Sequence, residues 1–168
     1  MPATTPTFTI TVADPAASSS QKILRTYYDD IIGLYYGRPA LPHEVDETMV
    51  DEPSDDLRAP TGVFLVATVN DQIVGCGGVR FVDLEAGVGE VTRIFVRGDA
   101  RGQGIAAALL TELEQLALHA GVSTLRLTVR ADLMGARRLY AHLGFAEVNA
   151  FSAEPYADHW LAKQLLPA

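Results

Sequence analysis

The chain has 168 residues, 48% of them apolar and 20% charged, with a formal net charge of −8. That length and composition exclude a disordered or fibrous chain and support one folded unit with a buried core. The acidic balance argues against nucleic-acid binding through phosphates. No apolar run approaches the ~18 residues of a membrane span, and the lone cysteine, Cys76, excludes an intrachain disulfide and any multi-cysteine metal site.

Met1 to Thr7 carries no basic residue and no apolar run, so no secretory leader, a loose tail and a cytoplasmic location are expected. Phe8 to Val12 alternates apolar and polar residues, which predicts a strand. Asp14 followed by Pro15 reads as a helix N-cap, and the spacing of Ile23, Leu24, Tyr27, Ile31 and Leu34 predicts a helix over 16–32, punctuated by Gly33, Gly37 and Pro39. A poorer helix is predicted over 43–50 and a loop over 53–60.

The period then changes. Val63–Val69 and Ile73–Val82 flank the polar turn Asn70-Asp71-Gln72 and predict a hairpin, and Glu90–Val96 adds a third antiparallel strand. Gly75, Gly77 and Gly78 predict a bulge or a close backbone approach. Ile105, Leu109, Leu113, Leu116 and Ala120 form one stripe, an amphipathic helix closed by Gly121. A strand over 124–130, a short helix over 135–143, and strands starting at Phe145 and at His159 complete the chain. A strand, a long helix and a strand in sequence require a parallel crossover pair. The expected fold is α/β, with a central mixed, mostly antiparallel sheet and helices on both faces.

Between the third strand and the amphipathic helix lies Arg101-Gly102-Gln103-Gly104-Ile105-Ala106. Glycines allow close backbone approach, and the free N–H groups at a helix start favour an anion such as pyrophosphate. No lysine or hydroxyl follows Gly104, which excludes a nucleotide-triphosphate loop. Gly102, Gly104 and Ala107 satisfy the dinucleotide pattern, but three antiparallel strands precede the loop and no acidic residue stands about 20 positions on, against that reading. An ordinary loop and helix start is the remaining alternative.

Arg101, Gly104 and Ala106 fit [QR]-x-x-G-x-[GA], and Tyr140-Ala-His-Leu-Gly144-Phe145 follows about 35 residues later. In these two motifs, over roughly residues 61–148, the chain resembles the GCN5-related N-acetyltransferases. Gly98 stands where that family often has proline, and Leu133 where it often has asparagine.

The resemblance implies an acyl-CoA N-acyltransferase fold over 1–168, with an acceptor side over 8–60, a cofactor core over 61–148 and a C-terminal strand segment over 149–168. It implies acetyl-CoA as co-substrate, no metal, and a small-molecule amine as acceptor, with a homodimer left open. The pyrophosphate is expected on Arg101, Gly102, Gln103, Gly104, Ile105 and Ala106, and the pantetheine arm beside Ile94, Phe95 and Val96. Tyr140 is expected to act as general acid toward the thiolate; a core tyrosine is the alternative.

Glu90 is the leading general-base candidate, with a solvent-facing strand end as its plain reading and His142 or His159 as substitutes. Cys76, in an apolar strand, reads as buried and inert. Of the nine basic residues after position 60, Arg93, Arg97, Arg101, Arg130, Arg137 and Arg138 lie on segments flanking the expected slot. Asp29, Asp30, Glu44, Glu47, Glu90 and Asp158 lie on segments expected around the acceptor. They predict a negative mouth that favours amines without a nearby carboxylate. A catalytically silent acyl-CoA-binding domain of the same fold is the rival function.

Overall fold

The computed structural model describes residues 7–166, so all of the expected tail but Thr7 lies outside the described residues. The elements run β1 (Phe8–Val12), α1 (Ser18–Tyr36), α2 (Pro42–Asp51), β2 (Gly62–Val69), β3 (Gln72–Asp83), β4 (Val88–Val96), a 3-10 turn (Gly98–Ala100), α3 (Ile105–His119), β5 (Thr124–Val129), α4 (Met134–His142), β6 (Ala146–Glu147) and β7 (His159–Gln164). The strands form one seven-stranded sheet in the order β1-β2-β3-β4-β5-β7-β6. The β4–β5 pair is parallel and the others are antiparallel, as the sequence order requires.

Two expectations shift. Asp14 does not cap α1: its carboxylate takes the Ala16 N–H and its carbonyl the Ala17 N–H, closing a turn, and the N-cap is Ala17. The helix also runs through Gly33 and stops at Gly37, whose φ of 67° provides the left-handed C-cap. At the other end of the chain, β6 is only two residues long.

Two cores sit on opposite faces of the sheet. The larger packs α3 and α4 against strands from both ends of the sheet, with Leu65, Val79, Val91, Leu109, Leu113, Leu125, Leu127 and Leu161 buried in it. The smaller packs Ile23 and Leu24 of α1 and Leu57 against Phe64, Val66, Cys76 and Phe95. Leu109 is fully buried at the centre of the larger core. Leu109→Ala is expected to cost about 2–5 kcal/mol, read as a lower urea midpoint at unchanged m-value.

The glycines of β3 serve the strand beside them. Cys76 pairs with Phe95 and Gly78 with Thr92, so β4 carries one more residue than β3 over this interval. The bulge centres on Arg93, whose φ is 57°. A Cβ on Gly75 would stand 2.8 Å from the Phe95 carbonyl oxygen, a backbone atom, so glycine there leaves room for the strand beside it.

Candidate active site

The parallel ladder between β4 and β5 is short. Val88, Gly89 and Glu90 pair with Thr124, Leu125 and Arg126, and beyond Glu90 the strands part. The Arg97 N–H donates to Val74 O at 2.8 Å on the β3 side. Alternation along the strand therefore turns the backbone of Val96, and of Ile94 two residues earlier, away from β3 toward the edge that β5 has left. An extended ligand can use that edge as the next strand would.

The free edge leads into the glycine loop. Gly102 and Gly104 have φ of 82° and 81°, and a Cβ at either would meet nothing within 4 Å. The first α3 amide with a backbone acceptor is that of Ala108, bonded to Gly104 O. Among the described residues, the N–H groups of Ile105, Ala106 and Ala107 find no acceptor, and Gln103 Oε1 is buried without a partner. Unpaired donors at the positive end of a 15-residue helix, behind an open cradle, fit a pyrophosphate. Arg101 stands at the mouth, its Nε on Val96 O at 3.0 Å and its guanidinium 3.6 Å from the Asp30 carboxylate of α1.

Tyr140 is fixed by the way α4 ends. The Phe145 N–H bonds Tyr140 O, the Gly144 N–H bonds Ala141 O, and Gly144 has φ of 96°. This is a Schellman motif, and its customary apolar contact is the Tyr140–Phe145 ring pair at 5.8 Å. The Tyr-x-x-x-Gly-Phe pattern is thus a device for stopping a helix that also sets the phenol. Burial raises the Tyr140 pKa above the ordinary phenol value, so the group stays a proton donor.

Tyr27 and Tyr28 stay together, their ring centroids 4.9 Å apart, though each has its own further partner. Tyr28 is buried beside the Arg93 guanidinium, and burial pushes its phenol up to about 12. Tyr27 packs on Phe95. Burial, then the neighbouring Tyr28, raise its pKa, and Tyr140 is near enough to act on it as well. Cys76 is fully buried, its thiol donates to Arg93 O, and burial pushes it up to about 12. It is not a nucleophile at neutral pH.

Glu90 lies on the face of the sheet that carries α1 and the 52–56 loop, with its carboxylate 3.2 Å from Arg126 Nε. Four of the six acids expected to form a negative mouth have partners in the fold. Asp30 faces Arg101, Glu44 is held by Arg38 and the Leu41 N–H, Asp158 accepts the Ala131 N–H, and Glu90 is paired. Those bonds hold the Glu44 carboxyl down to about 2.

Arg93 does not reach a phosphate site either. Its guanidinium is buried under the 52–54 loop, bonded to Ser54 Oγ, Glu52 O and Thr92 Oγ1. Arg130 bonds Asp132 and the Ile31 carbonyl. Arg137 and Arg138 line a hollow of about 440 Å³ with Met134, Phe145, Glu147 and His159, and His159 bonds Glu147 at 2.6 Å. His142 is exposed at the end of α4.

No helix among the described residues is long and apolar enough to cross a membrane, and no cluster of metal-ligating side chains is found there.

The profile of the acetyltransferase (GNAT) family matches residues 26–145. Over 100 residues the chain is 40% identical to an IAA acetyltransferase of Azospirillum brasilense, covering 60% of this chain and 63% of that protein. Over 137 residues it is 30% identical to an N-acetylaspartate synthetase of Xenopus tropicalis, covering 78% of this chain and 50% of that one. The chain therefore spans about half to two thirds of the length of these relatives. Among solved structures, an N-acetyltransferase of Thermoplasma acidophilum in complex with coenzyme A superposes with a TM-score of 0.70 at 15% identity, over 93% of this chain and 99% of that one. The fold agrees, and the profile match covers the parted strands, the glycine loop and the tyrosine helix together: the chain belongs to the acetyltransferase (GNAT) family.

Proposed function

We propose that this protein is an acetyl-CoA-dependent N-acetyltransferase that acts on the primary amine of a small molecule by direct attack in a ternary complex. The observation that carries the reading is the continuous track from the free edge of β4 into the unpaired amides of Ile105, Ala106 and Ala107, with the buried Tyr140 hydroxyl on α4. The track matches a ligand with an extended arm and a pyrophosphate. Acetyl-CoA supplies the activated acetyl group. The CoA-bearing neighbour and the family's use of acetyl-CoA support the same ligand.

The residues then divide the work. The outward backbone groups of Ile94 hold the arm beside Val96, whose carbonyl already accepts from Arg101, and an N–H of the bulged strand near Phe95–Val96 polarises the acetyl carbonyl oxygen. The glycine loop holds the pyrophosphate. An alkyl ammonium has a pKa near ~10.4 and a thiol near ~8.5, so the amine must lose a proton and the departing sulfur gain one at neutral pH. Glu90 takes the proton from the amine through water, and Tyr140 gives one to sulfur.

The test is thiol release from acetyl-CoA against a panel of small amines. Turnover is the expected result. Tight CoA binding with no turnover of any amine would overturn the enzyme in favour of a silent acyl-CoA-binding domain.

A further inference from the structure

The acceptor face of the sheet carries four arginines, and their hydrogen-bonding capacity is distributed unequally. Arg93 has Nε and both Nη atoms engaged by Ser54, Thr92 and the 52–53 carbonyls. Arg130 has all three engaged by Asp132 and Ile31 O. Arg80 has Nε and one Nη on Asp56. Arg126 differs: only its Nε is engaged, by Glu90, and among the described residues neither Nη has a protein partner.

Arg126 is nevertheless held in place. Its guanidinium stacks on the Phe151 ring with its central carbon 4.3 Å from the centroid, and its side chain is 29% exposed. A half-buried, pre-oriented guanidinium with both terminal nitrogens unclaimed is the arrangement that takes a carboxylate in the bidentate mode. Donors withdrawn from bulk water gain most from a charged acceptor.

The surroundings provide the opposite charge at short range. Arg126 pairs across the ladder with Glu90, the last paired residue before β4 and β5 part. Thr128, two residues along the same face of β5, bonds the Glu154 carboxylate at 2.9 Å. Glu52 is close enough to Glu154 for that charge to raise its pKa, after the larger effect of burial. The floor thus offers a guanidinium with both Nη atoms open, bonded through Nε to Glu90 and flanked by the Glu154 and Glu52 carboxylates, a match for a zwitterion and a poor one for a simple alkyl amine.

We infer that the acceptor bears a carboxylate near its amine, and that Arg126 binds that carboxylate beside Glu90. This deepens the acetyltransferase reading and rests on it. It replaces the expectation of a mouth that repels acidic acceptors, because Arg101, Arg38 and Arg126 stand against Asp30, Glu44 and Glu90. The amine end faces the Glu90 side, where a proton is to be removed, and the carboxylate fixes the acceptor's orientation. The relative whose name gives N-acetylaspartate as its product is in keeping with such an acceptor.

The experiment compares free amino acids with their own carboxamides as acceptors, in the wild type, Arg126→Gln and Arg126→Lys. Differences in amine basicity cancel when each acceptor's kcat/KM in a variant is divided by its wild-type value. The wild type is expected to favour at least one amino acid over its carboxamide by about tenfold or more, since a site built to bond a polar group rejects the analogue lacking it. Arg126→Gln should raise KM for the acid and lower the acid's kcat/KM, relative to wild type, by about tenfold more than the carboxamide's, and Arg126→Lys should restore part of the difference.

Turnover of carboxamides or simple amines with no preference for the acids would overturn the inference and leave the acetyltransferase standing. An equal loss for acid and carboxamide in a folded Arg126→Gln protein would overturn it too, by showing a structural role. Absence of turnover with every amine would overturn the acetyltransferase reading itself, and the carboxylate site with it.

Discussion

Gly104→Glu is expected to weaken CoA binding by at least about a hundredfold while the protein stays folded. Two effects add. Gly104 holds φ of 81°, a conformation that costs an L-residue roughly 1–2 kcal/mol. The new carboxylate would also sit at the N-terminus of α3, in the cradle formed by the unpaired amides, where it both fills the space and offers those amides an internal anion. Because a Cβ there meets nothing within 4 Å, no clash with the protein itself is introduced. Gly104→Ala separates the two effects, since it carries the strain without the charge and should lose far less affinity. Titration calorimetry with CoA reads both variants, and near-native affinity in a folded Gly104→Glu protein would remove the loop from the cofactor site.

Tyr140→Phe is expected to lower kcat by about ten- to a thousandfold with acetyl-CoA affinity nearly unchanged, because only the proton donor is lost. The ring keeps its packing on Phe145, so the helix stop survives. The pH dependence gives a second reading. Burial raises the Tyr140 pKa above the ordinary phenol value of ~10, so the hydroxyl remains protonated from about pH 6 to about pH 9 and imposes no alkaline loss of kcat there. By linkage, a raised folded-state value stabilises the protein below the unfolded phenol's pKa, and that contribution fades as pH rises through the folded value. An unchanged kcat in a chemistry-limited assay of Tyr140→Phe would assign the thiolate's proton to another group.

What could be read from the sequence was what is local. The hairpin, the α3 stripe and the Tyr140–Gly144–Phe145 stop each depend on residues within a few positions of one another, and each is found where expected. The glycine loop was legible for the same reason. Asp14 misled because a turn and a helix cap use the same side-chain bond, and only the following backbone tells them apart.

Side-chain partners drawn from distant segments were not legible. Arg93 was placed beside the cofactor by its strand, but a bulge with φ of 57° sends its guanidinium under a loop about 40 residues earlier. Arg126 sat in plain alternation with Leu125 and Leu127, so its face could be read, yet its partner appears only once β5 is registered against Glu90. The six acids taken as a negative mouth were counted without the arginines and amide groups that the fold brings to four of them.

The three-residue contact between β4 and β5 has a mechanical consequence. It divides the sheet into two plates, β1–β4 and β5–β7–β6, joined by a very short hinge. On one side a continuous apolar seam crosses the joint, since the larger core draws on both plates through α3 and α4. On the other side the smaller core belongs wholly to residues that precede Val96, and the joint is crossed by a few ties: Arg130 bonds the Ile31 carbonyl of α1, and Tyr35 packs on Tyr156. A plate pair joined by an apolar core on one side and by a few polar and aromatic ties on the other resists opening least on the second side. Any motion of the plates about this joint changes the width of the proposed cofactor slot and a proposed acceptor's access to Glu90 and Arg126 together.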